Sequence, residues 1–283
     1  MLCYAVVKQS TGIFDMADIN NSSSNKLYLK IMIMNVGGKN EGDKPTDRRK
    51  QAIYDVVTKQ NAALNLLQEF KWKDIRSRAW NGISWSKHFQ LTGHAEASIL
   101  FDENKVTVEE YSQTLLDDTL RDLIRKGDIQ QQFTPFSRMC LRKVTTKGVQ
   151  VYAFICISWH GRHNGAKLED LKEEFKSMLK YSLKLSENLS LPVLLAGDFN
   201  LKNKDVGAKE VQPTTPLIMC IYEPTDRRTR AGIIDFFIAS KSLVMSDSKA
   251  LTLKSETDVM GVLSLFDHDP VVSSMSIRTE NEE

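Results

Sequence analysis

Leu191-Pro192-Val193-Leu194-Leu195-Ala196-Gly197-Asp198-Phe199-Asn200 is the stretch whose reading decides the fold. Val193 to Ala196 is an unbroken apolar run between a proline and a glycine. Such a run reads as a strand buried on both faces, the kind found in the middle of an α/β sheet. Asp198 and Asn200 follow at once, and strand alternation points both side chains to the same side. A carboxylate and an amide at the end of a rigid strand suit a hard divalent cation or an oriented water. Asp and Asn after a strand also make ordinary turns. Taken alone, the stretch supports both readings equally.

Just upstream, Leu168 to Leu189 reads as a long helix, with Leu168, Leu171, Phe175, Met178, Leu179 and Leu183 at helical spacing. Before it, Val151 to Trp159 is a strongly apolar strand that runs straight into His160. A tight loop, Gly161 to Gly165, joins the two and carries Arg162, His163 and Asn164. That strand pairs with Ser137 to Val144 through a hairpin-like turn at Lys147-Gly148. Leu27 to Val36 reads as the first central strand, with Asn35 near its end. Thr46 to Gln60 reads as a helix with Ala52, Ile53, Val56 and Val57 as its apolar stripe, and Asp47 suits the positive end of its dipole. Leu64 to Glu69 is a strand ending in a carboxylate.

Glu96 to Asp102 and Val106 to Tyr111 read as a strand pair turning at Glu103-Asn104, and Thr114 to Arg125 as an amphipathic helix stopped by Gly127. Downstream of the opening stretch, Asn203 to Pro216 reads as a polar loop and Leu251 to Leu265 is mixed. Ile233 to Ala239 is a strand with Asp235 inside it, and Phe266-Asp267-His268-Asp269-Pro270 leads into a last strand, Val271 to Ile277. Residues 1–26 read as a flexible lead-in, with room for a short strand at Tyr4 to Val7. Residues 27–278 read as a single domain, and residues 279–283 as a disordered tail.

Composition excludes several classes. At 283 residues, 41% apolar and 26% charged, the chain has ordinary globular composition. A net charge of +2 gives no global pull toward polyanions, so any such site is a local patch. Cys3, Cys140, Cys156 and Cys220 show no zinc or redox spacing and suit a reducing compartment, with Cys156 a core thiol. No signal peptide or membrane-length apolar run is evident, so the expectation is an intracellular protein, cytoplasmic or nuclear, without membrane contact.

Polar residues therefore end several strands: Asn35, Glu69, His160, and Asp198 with Asn200. Asp235 is placed in a strand core, where a carboxylate is costly unless paired, and a histidine is its natural partner. In α/β sheets, sites form where strand ends converge.

Together, Leu67-Gln68-Glu69, Ser158-Trp159-His160, Gly197-Asp198-Phe199-Asn200, Ile234-Asp235-Phe236-Phe237 and Asp267-His268-Asp269-Pro270-Val271 resemble the endonuclease/exonuclease/phosphatase (DNase I-like) superfamily. The resemblance runs from about Leu27 to Ile277. It implies an α/β fold, a two-sheet β-sandwich flanked by helices in four layers. It implies a metal-dependent phosphoesterase using Mg²⁺, with Mn²⁺ as a substitute. It implies Glu69 as the principal metal ligand with Asn35 beside it and Asp267 assisting. Asp198 would orient or deprotonate the attacking water, and Asn200 would hold the phosphate or a second metal. His268, backed by Asp235, would contact the scissile phosphate, and His160 would stabilise developing charge. The chemistry agrees, since cleaving an anionic phosphodiester requires neutralised oxygens, a positioned water and a stabilised leaving group.

Arg162 and Arg228, the latter in the run Arg227 to Arg230, are candidate phosphate contacts and equally explicable as solvated charges. Phe70 to Trp85, with Lys71, Trp72, Lys73, Arg76, Arg78, Trp80 and Trp85, reads either as a backbone-and-base surface or as a loop anchored to the core by its tryptophans. Departures narrow the resemblance. Phe266 stands where many relatives have serine, and a tyrosine-arginine pair after Asn200 is missing, as is a PxWCDR-like segment. These argue against an inositol phosphatase, and His160 argues against a close abasic-site endonuclease. No apolar hairpin suits a sphingomyelinase. The expectation is a monomeric nuclease acting on DNA or RNA. The alternatives are a phosphatase or phosphodiesterase on a small molecule, lipid head group or protein–nucleic-acid linkage, and a binding module without turnover.

Overall fold

The computed structural model describes residues 28–37, 47–80, 82–162, 165–202, 205, 219–222, 233–251, 266 and 268–278. In chain order its elements are β1 (Tyr28–Asn35), α1 (Asp47–Gln60), β2 (Leu64–Gln68), β3 (Phe89–Gly93), β4 (Ala97–Asp102), β5 (Val106–Glu109), α2 (Gln113–Arg125), β6 (Met139–Thr146), β7 (Ala153–His160), α3 (Leu168–Leu189), β8 (Val193–Asp198), β9 (Met219–Tyr222), β10 (Asp235–Ser240), β11 (Leu243–Ala250) and β12 (Val271–Ile277). The strands form two six-stranded sheets, ordered β11-β12-β1-β2-β4-β3 and β5-β6-β7-β8-β10-β9. β1 and β2 are parallel, as are β7 and β8. The other pairs are antiparallel.

Side-chain alternation builds the layers. Ile31 and Ile33 of β1, Leu64 and Leu66 of β2, Phe154 and Cys156 of β7, Leu194 and Ala196 of β8, and Phe237 and Ala239 of β10 share one cluster between the sheets. The intervening residues face outward. Met32, Met34 and Leu67 pack with Ile53 and Val57 of α1. Ile155, Ile157, Val193, Leu195 and Phe236 pack with Phe175, Met178 and Leu179 of α3. The result is the expected sandwich, helices outside and two sheets within. Each large apolar side chain buried this way contributes about 1.5–3 kcal/mol. The opening strand is buried on both faces, with Val193 to Ala196 all at 0% exposure.

α2 starts where Ser112 Oγ accepts the Leu115 backbone N–H at 3.3 Å, which satisfies one free donor of the first turn. α3 ends at Ser190, whose left-handed backbone closes the last turn.

Three strands went unread in the sequence: β3, β9 and β11. The expected pairing of the segments at Glu96 to Asp102 and Val106 to Tyr111 is corrected. β4 pairs with β2 and β3, whereas β5 crosses to the other sheet and pairs with β6. Local turn residues bring the chain back but do not say which sheet it rejoins. Trp72, Trp80 and Trp85 are buried in the α1-side cluster. That settles the Phe70 to Trp85 stretch as a loop anchored by its tryptophans. The readings at Tyr4 to Val7, nearly all of Asn203 to Pro216 and most of Leu251 to Leu265, and the terminal assignments 1–26 and 279–283, lie outside the described residues.

Candidate active site

The parity that fills the inter-sheet core also selects the polar residues at its rim. Continuing the inward sets gives Asn35 after Ile31 and Ile33, Gln68 after Leu64 and Leu66, His160 after Phe154 and Cys156, and Asp198 after Leu194 and Ala196. Because β1 and β2 run in parallel, Asn35 and Gln68 are partners in register. His160 and Asp198 are partners in the same way. β10 runs antiparallel to β8, so its first residue, Asp235, falls opposite Asp198 at the same rim. β12 runs antiparallel to β1, with Val271 opposite Ile33, and His268 precedes it.

Glu69 breaks the alternation. By parity it would follow Leu67 outward toward α1. Its backbone instead takes a left-handed conformation with φ +56°, uncommon for a non-glycine residue. Its carboxylate accepts a hydrogen bond from Asn35 Nδ2 at 3.3 Å. The same amide nitrogen donates to Asp198 Oδ2 at 2.9 Å, so Asn35 bridges the two carboxylates. Asn35 Oδ1 accepts the Gly37 backbone N–H at 2.8 Å. A Cβ at Gly37 would overlap the Glu69 carboxylate, so a larger residue there would push that carboxylate from its place.

His160 lies within this cluster at 1% exposure. Its Nε2 is 3.8 Å from Glu69 Oε1 and 4.0 Å from Asp198 Oδ2. Its Nδ1 is 2.9 Å from Glu96 Oε2. His268 Nδ1 is 2.8 Å from Asp235 Oδ2 and 3.6 Å from Asp198 Oδ2. The His268–Asp235 approach is electrostatic, since neither Asp235 oxygen has a directed hydrogen bond among the described residues. Burial, with the Asp235 charge next in weight, holds the Asp198 carboxyl above the usual carboxylate range. The imidazoles of His268 and His160 and the Asn35 amide act in the opposite direction.

The Gly197-Asp198-Phe199-Asn200 motif has a structural part for each residue. Gly197 has φ +148°, and a Cβ there would strike the Trp159 carbonyl, so the two parallel strands approach only with glycine. Phe199 stacks on Phe236 at 4.1 Å between ring centres and meets Phe175 of α3. Asn200 lies beyond the strand with φ +50°. The same-side expectation from strand alternation is therefore corrected. A turn, not the pleat, brings Asn200 back, with its backbone N–H donating to Asp198 Oδ1 at 2.8 Å. The turn reading and the site reading of this stretch coexist. Asn200 Nδ2 donates to the Gly161 carbonyl at 3.2 Å.

No protein-family model and no curated protein matches the sequence. Solved structures do match. An endonuclease/exonuclease/phosphatase protein from Bacteroides vulgatus aligns at 15% identity over 89% of this chain and 100% of its own, with TM-score 0.62. The human Nocturnin catalytic domain with bound sulfate aligns at 13% identity over 89% of this chain and 98% of its own, with TM-score 0.62. D. rerio TDP2 complexed with a single-strand DNA product aligns at 13% identity over 88% of this chain and 98% of its own, with TM-score 0.59. The chain has the fold that these solved structures share.

Within that fold, Asn35, Glu69, His160, Asp198, Asn200, Asp235 and His268 gather at one rim. Asp198, Asp235 and His268 each offer a ligand atom within 4.8 Å of the others. Arg162 is placed differently. Its Nε is 3.3 Å from Glu174 Oε1 on α3, and 47% of its side chain is exposed. Asp267 and Arg228 lie outside the described residues. Sequence reading missed Glu96, which immediately precedes β4 beside the end of β2, with Gln68 opposite Ala97. Only that antiparallel pairing identifies it, because nothing local distinguishes it from a surface glutamate. It also missed Gln68, whose Nε2 donates to Ser158 Oγ at 3.0 Å and ties the two sheets together beneath the rim. Among the described residues, no helix is long and apolar enough to cross a membrane.

Proposed function

We propose that this chain is a metal-dependent phosphodiester hydrolase, a nuclease acting on DNA or RNA. One observation carries the reading: Asp198 and His160 end their strands, Glu69 follows β2 and His268 precedes β12, and their side-chain polar atoms approach one another in steps of 3.6 to 4.0 Å at a single rim. The donor set fits a hard divalent cation. Two carboxylates share one amide nitrogen, and a partly exposed oxygen ligand, Glu69, lies at the open edge. Glu69 would hold Mg²⁺, or Mn²⁺ in its place, with Asn35 and Asp267 assisting. When bound, such an ion supplies Lewis acidity and a template for the phosphate.

The chain's own groups take the remaining roles. Asp198 orients the attacking water and accepts its proton. Asn200, its amide fixed by the Gly161 carbonyl, holds a phosphate oxygen. His268, backed by the buried charge of Asp235, donates toward the scissile phosphate, and His160 meets the charge that develops on the oxygens. Arg162 and Arg228 would contact phosphates flanking the scissile bond. The test is hydrolysis of labelled DNA and RNA with Mg²⁺ and with chelator, using Asp198→Ala and His268→Ala as controls. Cleavage that needs metal and is lost in both variants is expected. Equal cleavage in chelator, or in either variant, overturns the reading.

Burial of Trp72, Trp80 and Trp85 removes a base-stacking surface beside Glu69 and favours a second reading, a small phosphoester substrate. Salt separates the two. A polyanion bound through several phosphates loses affinity steeply as salt rises, and a small substrate does not.

A further inference from the structure

Glu174 lies on α3, outside the strands that carry the site, and is only 8% exposed. A carboxylate this buried is costly unless its oxygens are matched by donors. Here they are. The Arg138 guanidinium grips it with both terminal nitrogens, Nη1 at 3.2 Å from Oε2 and Nη2 on Oε1. Arg162 Nε stands 3.3 Å from Oε1. The Arg162 backbone N–H donates to Oε2 at 3.1 Å.

These contacts converge on the turn that follows β7. Arg138 sits over the Trp159 ring at 5.3 Å, and its backbone carbonyl accepts the His160 N–H at 3.0 Å. The next N–H, of Gly161, donates to the Asp198 carbonyl at 2.7 Å. The next, of Arg162, goes to Glu174. Three successive backbone donors are thus fixed, and the Gly161 carbonyl between them accepts Asn200 Nδ2 at 3.2 Å. Ion pairs this buried add little net stability over well-packed apolar groups, but they do fix geometry. We infer that Glu174 is a positioning residue: from α3 it clamps the His160–Gly161–Arg162 turn, and through that turn it sets the His160 ring and the Asn200 amide. The inference rests on the hydrolase reading above for its effect on turnover, but not for its effect on the two side chains.

The test compares wild type, Glu174→Gln, Glu174→Asp and the double variant Glu174→Gln with Arg138→Gln, which removes the paired charges together. Thermal melts follow folding. NMR follows the His160 ring nitrogens and the Asn200 side-chain amide, and kcat and KM follow turnover. In Glu174→Gln, both sets of signals are expected to move and kcat to fall about tenfold to a hundredfold at nearly unchanged KM. Glu174→Asp should recover part of the loss. The double variant should melt close to wild type yet keep the altered signals and the low kcat. Unmoved His160 and Asn200 signals in Glu174→Gln overturn the inference, as does a double variant that regains stability and turnover together. If wild type hydrolyses no phosphoester, the hydrolase reading fails and the NMR comparison still decides the clamp.

Discussion

Asp235 lies directly across the β8–β10 ladder from Asp198, so two buried carboxylates face each other on adjacent strands. Like charges so opposed repel. The Asp198 carboxyl is accordingly held above its usual range, through burial first and the Asp235 charge second. An acid raised in this way binds its proton more tightly in the folded chain than in the unfolded one. Its contribution to stability therefore falls as pH rises from the ordinary carboxylate range through the raised one. Asp198→Asn has no such group to ionise. Thermal melts from about pH 4 to pH 7 should show a pH-dependent loss in wild type that is flattened in the variant. Turnover should fall about 10²–10⁴-fold in the variant, as for loss of a general base. Parallel pH curves for the two proteins would show that Asp198 does not hold its proton more tightly in the folded chain.

Divalent cations should stabilise the fold by relieving the same crowding of charge. At a concentration of Mg²⁺ about 100 times its dissociation constant, the gain is about 2.7 kcal/mol. Scanning calorimetry with Mg²⁺ and with chelator reads it directly, without any substrate. Glu69→Gln keeps the side-chain shape but loses the charge next to Asn35, and it should abolish most of the shift. A full shift in that variant would remove Glu69 from the metal site.

Glu96 should matter through His160. Its Oε2 stands 2.9 Å from Nδ1, which leaves Nε2 facing Glu69 and Asp198. Placing the Nδ1 proton toward Glu96 fixes both tautomer and ring orientation. Glu96→Ala should lower kcat about tenfold to a hundredfold, the usual cost of losing a supporting hydrogen bond to a functional histidine. The fold should be little affected, because 47% of the Glu96 side chain is exposed. Activity and melting temperature measured side by side distinguish this from general destabilisation.

The two core thiols should be inert in the folded protein. Burial pushes Cys140 up to about 11 and raises Cys156 further still. Both therefore stay neutral at physiological pH, and only a thiolate attacks disulfide reagents. In a Cys3→Ser, Cys220→Ser background, no thiol should react with such a reagent until denaturant is added. Because these acids are raised in the folded state, stability should also decline once pH passes the unfolded thiol value of about 8.5. Rapid native labelling would show that one of the thiols is accessible.

The sequence by itself determined most of the elements, though not β3, β9 and β11, and the parity of Asn35, His160, Asp198 and Asp235. α3 spans Leu168–Leu189 as its apolar spacing predicts, and β1, β2, β7, β8, β10 and β12 lie where the apolar runs place them. Asn35, His160, Asp198 and Asp235 were legible because helix and strand periodicity come from backbone geometry over a few residues. Only the tertiary structure decided which strands became neighbours. It sent β5 to the second sheet, turned Glu69 back by a left-handed backbone, and brought Asn200 round by a turn. It alone placed Glu96 on His160, 64 residues away, and Glu174 on the turn beyond it. Those contacts depend on how whole segments, distant along the chain, bury their apolar faces against one another, and no local pattern encodes that packing.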